Sequence, residues 1–99
     1  MEINKTQDGD RVILSLIGRL DTITSSKLQT ALSEDFSGAT ALELDFSDIE
    51  YVSSAGLRVL LLGEKRMKAD GKTMTLTHVS DDVMEVFEIT GFSAILTIA

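Results

Sequence analysis

The chain predicts an α/β fold: an opening hairpin, then a central mixed, mostly parallel β-sheet with helices packed against it. Two observations predict it. Asp8-Gly9 is a two-residue hairpin signal between strand-like stretches. After that hairpin, apolar residues at helical spacing and apolar residues in strand-like runs take turns to the end of the chain, the pattern of βα units.

Ile3 to Gln7 reads as a short first strand, and Arg11 to Leu20 as a longer second one. Val12, Leu14 and Leu16 share one face of the second strand, while Ile13 and Ile17 share the other with Ser15. Apolar residues on both faces predict a central strand covered on both sides. Asp21-Thr22 closes it. Thr24 or Ser25 caps a helix in which Leu28, Ala31, Leu32 and Phe36 fall at helical spacing, and Ser37-Gly38 ends it. Leu42, Leu44 and Phe46 alternate with Glu43 and Asp45, which predicts a third strand. A strand-like stretch then runs through Tyr51-Val52 into Ser53-Ser54-Ala55-Gly56, where a second helix starts and continues to about Ala69, with Asp70-Gly71 as its stop.

Thr73 to Val79 is rich in β-branched residues and makes a fourth strand. Ser80-Asp81-Asp82 supplies an N-cap hydroxyl and first-turn acids, Val83, Val86 and Phe87 an apolar helix face, and Gly91 a C-cap against which Phe92 packs back. Ile95 to Ile98 is a short last strand. The order is β-β-α-β-α-β-α-β, one domain over residues 1–99, with no linker, low-complexity tract or internal repeat.

Bulk composition narrows the function. The 99 residues carry 16 acidic and 9 basic side chains, a formal charge of -7 that repels nucleic-acid phosphates and anionic lipid heads. The basic stretch from Lys65 to Lys72 is the local exception, to be read as a solvated helix face or as a surface for acidic partners. Without cysteine there are no disulfides or thiolate metal sites. Met1 to Lys5 lacks the pattern of a signal peptide, and Val59 to Leu62 is far short of the ~20 apolar residues of a membrane span. A cytoplasmic chain, monomeric or only weakly dimeric, is expected.

Catalytic and metal-binding readings fare poorly. His78 is the single histidine, and a triad of Ser54, His78 and Asp48 lacks the Gly-x-Ser-x-Gly spacing of a nucleophile elbow. Asp45, Asp48 and Glu50 lack the glycine-interrupted spacing of a calcium loop, and no Gly-x4-Gly-Lys loop is present. No enzyme activity, metal or cofactor is expected. What remains is the serine turn. Small residues there let another molecule approach the backbone, and the first amides of the helix are free at the positive end of its dipole. A serine at this place is either an ordinary N-cap or a hydroxyl where a phosphate is well received.

The run Leu44-Asp45-Phe46-Ser47-Asp48-Ile49-Glu50-Tyr51-Val52-Ser53-Ser54-Ala55-Gly56-Leu57-Arg58-Val59-Leu60 resembles the signature of anti-sigma factor antagonists. These are small standalone members of the sulfate transporter and anti-sigma factor antagonist (STAS) family. Gly18-Arg19-Leu20-Asp21 resembles the family's Gly-x-Leu-Asp at the end of the second strand, and Phe87-x3-Gly91-Phe92 the segment that ends the third helix. The resemblance spans nearly the whole chain and implies a STAS fold. It further implies a partner-switching regulator that binds an anti-sigma factor with serine kinase activity and is released when phosphorylated. A serine phosphatase would reset it. Aligned on Gly56 and Leu57, the phosphoacceptor is Ser54, and Ser53 stands where the family commonly carries aspartate. The implied partner surface comprises Asp21, Ser53, Ser54, Ala55, Gly56, Leu57 and Arg58. A non-phosphorylated subunit of a transporter or sensory assembly is the alternative.

Overall fold

The computed structural model describes residues 1–34, 36 and 38–99. Glu2–Asp8 (β1) and Arg11–Leu20 (β2) form the antiparallel hairpin. Asp8 pairs with Arg11, so the two-residue loop is Gly9-Asp10, one position later than the sequence signal suggests. Gly9 takes a φ of +64° and Asp10 does not share it, which is the glycine placement of a type II′ turn. Ala41–Val52 (β3), Thr73–Thr77 (β4) and Thr97–Ile98 (β5) follow in parallel, in the sheet order β1-β2-β3-β4-β5. Ser25–Leu32 (α1), Ser54–Ala69 (α2) and Asp81–Thr90 (α3) make the crossovers. The predicted fold class and element order are the observed ones.

The strand order never reverses. When every crossover steps to the next strand with the same right-handed sense, all helices land on one face. Burial follows that geometry. Val12, Leu14, Leu16, Leu42, Leu44, Phe46, Met74 and Leu76 are buried under the helices, while Ile13, Ser15, Ile17, Glu43, Asp45, Thr75 and Thr77 opposite are half-buried. Phe87 of α3 meets Phe46 at a centroid distance of 6.2 Å, and Gly63 of α2 lies against Met74 and Leu32. The expectation that β2 is covered on both sides is thus corrected. Its second face is open, and hydroxyls, carboxylates and β-branched residues make that face tolerable in water.

Element ends differ from the sequence reading for local reasons. Two register shifts insert extra residues in β3 opposite Ser15–Arg19. Its buried residues therefore pass from alternation to Phe46, Ile49 and Val52, three apart. Helix α1 stops at Leu32, four residues short of Phe36, which is buried from outside the helix. Hydroxyls along α1 bond back to its carbonyls (Ser26 to Ile23, Thr30 to Ser26, Ser33 to Thr30), which weakens a short helix. Of the predicted stop signal, Ser37 lies outside the described residues. Strand β4 ends at Thr77 because His78 turns to a φ of +55°, so His78 is a turn residue and not a strand one. Phe92–Ala94 form a 3-10 turn that postpones β5 to Thr97.

Candidate functional site

At the end of β3 the chain is tied to the end of β2, since the Ser53 amide donates to the Leu20 carbonyl at 2.8 Å. Helix α2 starts immediately. Ser53 is its N-cap: the backbone is extended, and Ser53 Oγ accepts the Gly56 amide at 3.2 Å. Ser54 is the first helical residue, exposed, and its hydroxyl has no side-chain hydrogen bond among the described residues. The two readings of the serine turn are thus divided between neighbours. Ser53 satisfies the helix, and Ser54 is left free.

Helix α2 carries no acid in its first turn, whereas α3 has Asp81 and Asp82 beside the Ser80 cap. The positive end of the α2 dipole therefore has no carboxylate within its own first turn. Gly56 and Leu57 are buried, Ala55 is half-buried and Arg58 exposed. Gly56 lies so close to Leu20 that a Cβ would sit 2.7 Å from Leu20 Cγ and 3.0 Å from the Leu20 carbonyl oxygen. The glycine thus serves close packing between β2 and α2. Any contact of Gly56 and Leu57 with a partner would be indirect, through the position of the turn.

Asp21 lies on the turn that follows Leu20. Its Oδ1 accepts the amides of Ile23 and Thr24, each at 3.0 Å. The bond from the Thr24 amide is the main reason its carboxyl sits below the ordinary aspartate value. Thr24, the residue before α1, makes no side-chain cap; its hydroxyl donates to the Arg19 carbonyl instead. Asp21 therefore organises the entry to α1. That entry and the start of α2 form the two banks of an open groove lined by Thr22, Ser25, Ser26 and Gln29 on one side and Ser54, Ala55, Arg58, Val59 and Leu62 on the other.

The groove's α1 bank was not legible as part of the site, because it is brought there only by the crossover. Leu62, 47% exposed, did leave a signal: four consecutive apolar residues, Val59 to Leu62, exceed what one helix face can bury. The remaining sequence candidates do not converge on Ser54. His78 Nδ1 lies 3.2 Å from Asp45 Oδ1 on the open sheet face. Burial raises the Asp45 carboxyl, but bonds from the Ser47 amide and hydroxyl and the nearby His78 outweigh it and lower the pKa. Among the described residues no group of three His, Asp or Glu side chains could hold a metal ion. Nor is any helix among them long and apolar enough to cross a membrane.

Residues 3–97 match the family model described as Mlab, STAS domain. The anti-sigma-B factor antagonist of Listeria monocytogenes is 30% identical over 95 residues, covering 95% of this chain and 83% of that protein. An anti-sigma factor antagonist from Mycobacterium paratuberculosis has a similar fold, with a TM-score of 0.85 at 17% identity over 98% of this chain and 83% of that one. The unphosphorylated form of the anti-sigma factor antagonist SpoIIAA gives 0.75 at 16% identity, covering 99% and 87%. The phosphorylated form of SpoIIAA, a Bacillus cell fate determinant, gives 0.67 at 19%, covering 99% and 91%.

Proposed function

The chain belongs to the STAS domain family, and from that premise we propose that it is an anti-sigma factor antagonist switched by phosphorylation of Ser54. Unphosphorylated, it binds an anti-sigma factor that is also a serine kinase, in the cytoplasm; phosphorylated, it is released, and a serine phosphatase resets it. The chain is a kinase substrate and not an enzyme. The observation that carries the reading is the division of labour at the turn. Ser53 is engaged as the cap, while Ser54 is exposed with a free hydroxyl at the head of a helix that lacks first-turn acids.

Phosphate adds about -1.5 to -2 charges and three strong acceptors. At the start of α2 the folded domain accommodates that charge, because amides and dipole face it. Pressed against a partner, the same group brings bulk and a large desolvation cost. Binding therefore responds far more than folding, and each ~1.4 kcal/mol lost is a tenfold weaker complex. The partner surface around Ser54 comprises Asp21, Ser53, Ala55 and Arg58 directly, with Gly56 and Leu57 holding the turn.

The test is phosphopeptide mapping and binding titration with the cognate kinase and ATP, on the parent, Ser53→Ala and Ser54→Ala. Phosphate is expected on Ser54, and Ser54→Ala should bind the kinase yet stay unmodified. Ser53→Ala should still be phosphorylated, with about 1 kcal/mol of stability lost with its cap. Phosphate on Ser53, or undiminished binding after modification, would refute the assignment. If neither serine is modified, the non-phosphorylated subunit of a transporter or sensory assembly becomes the better reading, in keeping with Ser53 at the family's aspartate position.

A further inference from the structure

We propose that Arg58 is the intramolecular counter-ion of phosphorylated Ser54, holding the phosphate in the groove between α1 and α2 instead of displaying it to solvent. The inference deepens the reading of Ser54 as the modified residue and rests on it. Ser54 and Arg58 are four apart on α2 and line the same groove. Residues at that spacing have Cβ atoms about 5–6 Å apart, and helical side chains tilt toward the N-terminus, so Arg58 leans over the turn that carries Ser54.

Arg58 is also the free one among four arginines. Arg11 pairs with Asp8 and Glu43, Arg19 stacks 4.4 Å from the Tyr51 ring centroid, and Arg66 binds the Leu32 and Glu34 carbonyls and Asp70. Arg58 has neither an ion pair nor a side-chain hydrogen bond among the described residues, although the chain carries a net charge of -7. Among the described residues no acid lines the groove, and Asp21, the carboxylate nearest to it along the chain, is engaged by the Ile23 and Thr24 amides. Across from Arg58, Thr22 and Gln29 offer a hydroxyl and an amide donor, while the Ser26 hydroxyl is already given to the Ile23 carbonyl. A planar guanidinium with neutral donors opposite is a suitable receptor for a tetrahedral dianion.

The experiment installs phosphoserine at position 54 of the full chain by genetic encoding, so no kinase is involved. Phosphorus NMR then follows the second ionisation of the phosphate against pH. With Arg58 present that pKa should lie below its free value of about 6. Arg58→Gln should raise it by roughly half a unit, the size expected of a partly exposed ion pair, and Arg58→Lys should recover part of the shift. Arg58 is exposed, so these variants should fold as the parent does. An equal pKa in parent and Arg58→Gln would overturn the proposal, since amides or water alone would then hold the phosphate. The kinase experiment can fail while this titration succeeds, and the reverse, so the two readings are judged separately.

Discussion

A single added carbon at Gly56 would press on the Leu20 side chain and on its carbonyl oxygen at once, and the carbonyl has no rotamer with which to yield. Gly56→Val should therefore lower stability by about 1–3 kcal/mol, read as a fall in the thermal midpoint, with loss of kinase binding following from the displaced turn. A variant as stable as the parent would show that β2 and α2 have slack there. Glu64 gives a pH-dependent counterpart. Its Oε2 is buried without a hydrogen-bond partner among the described residues, and burial raises its carboxyl above the ordinary value, with Lys68 offsetting part. The folded chain thus holds this proton more tightly than the unfolded chain. The group's contribution is complete below the unfolded value of 4.5 and is lost as pH rises through the higher folded one. Glu64→Gln should raise the thermal midpoint at pH 7 and do little at pH 4; equal gains at both would exclude ionisation as the cause. The sequence showed the two serines and the glycine as a unit, because small residues at a strand-to-helix turn are conspicuous. Which serine caps, and that Gly56 answers to Leu20, depended on a contact between segments more than thirty positions apart.

Helix α1 depends on its neighbour for its C-terminal end. Arg66 of α2 donates to the Leu32 and Glu34 carbonyls, and Lys72 Nζ to the Phe36 carbonyl at 2.5 Å. The basic stretch from Lys65 to Lys72 read as a solvated face or an acidic-partner surface. Lys65 and Lys68 are indeed exposed, but Arg66 and Lys72 are occupied in closing α1 and the loop beyond it. Arg66→Met keeps much of the apolar stem and removes those bonds. It should cost about 1–2 kcal/mol, lowering the urea midpoint with an unchanged slope. Amide exchange should accelerate in α1 before β2 or β3. Uniform acceleration would mean that the clamp stabilises the whole fold and not this helix. The long periodic strand β2 was legible to the residue, and α2 to within its serine turn and its stop near Ala69. The end of α1, the bulges of β3 and the turn at His78 were not, since each is set by tertiary partners or by backbone geometry that no side-chain period encodes.

For the molecule as a whole, element order was legible but the single covered face was not, because one-sidedness is a property of the strand order. The open face mixes half-buried Ile13 and Ile17 with Ser15, Glu43, Asp45 and threonines, too polar for an obligate interface. The large exposed apolar residues Ile23, Tyr51, Leu62, Ile89 and Ile95 fall on five different segments. With a charge of -7, the unmodified chain should sediment as a monomer at micromolar concentration, and a tight dimer would contradict this. The unreversed strand order also bears on biosynthesis. Each strand pairs with its predecessor in the chain, so the sheet can be laid down in the order in which the ribosome delivers it. All the side chains around Ser54 lie between Arg19 and Leu62, upstream of β4, α3 and β5. The proposed switch surface is therefore synthesised in full before the last third of the domain emerges, so the serine kinase of the proposed function would find every residue it docks on already present in the nascent chain.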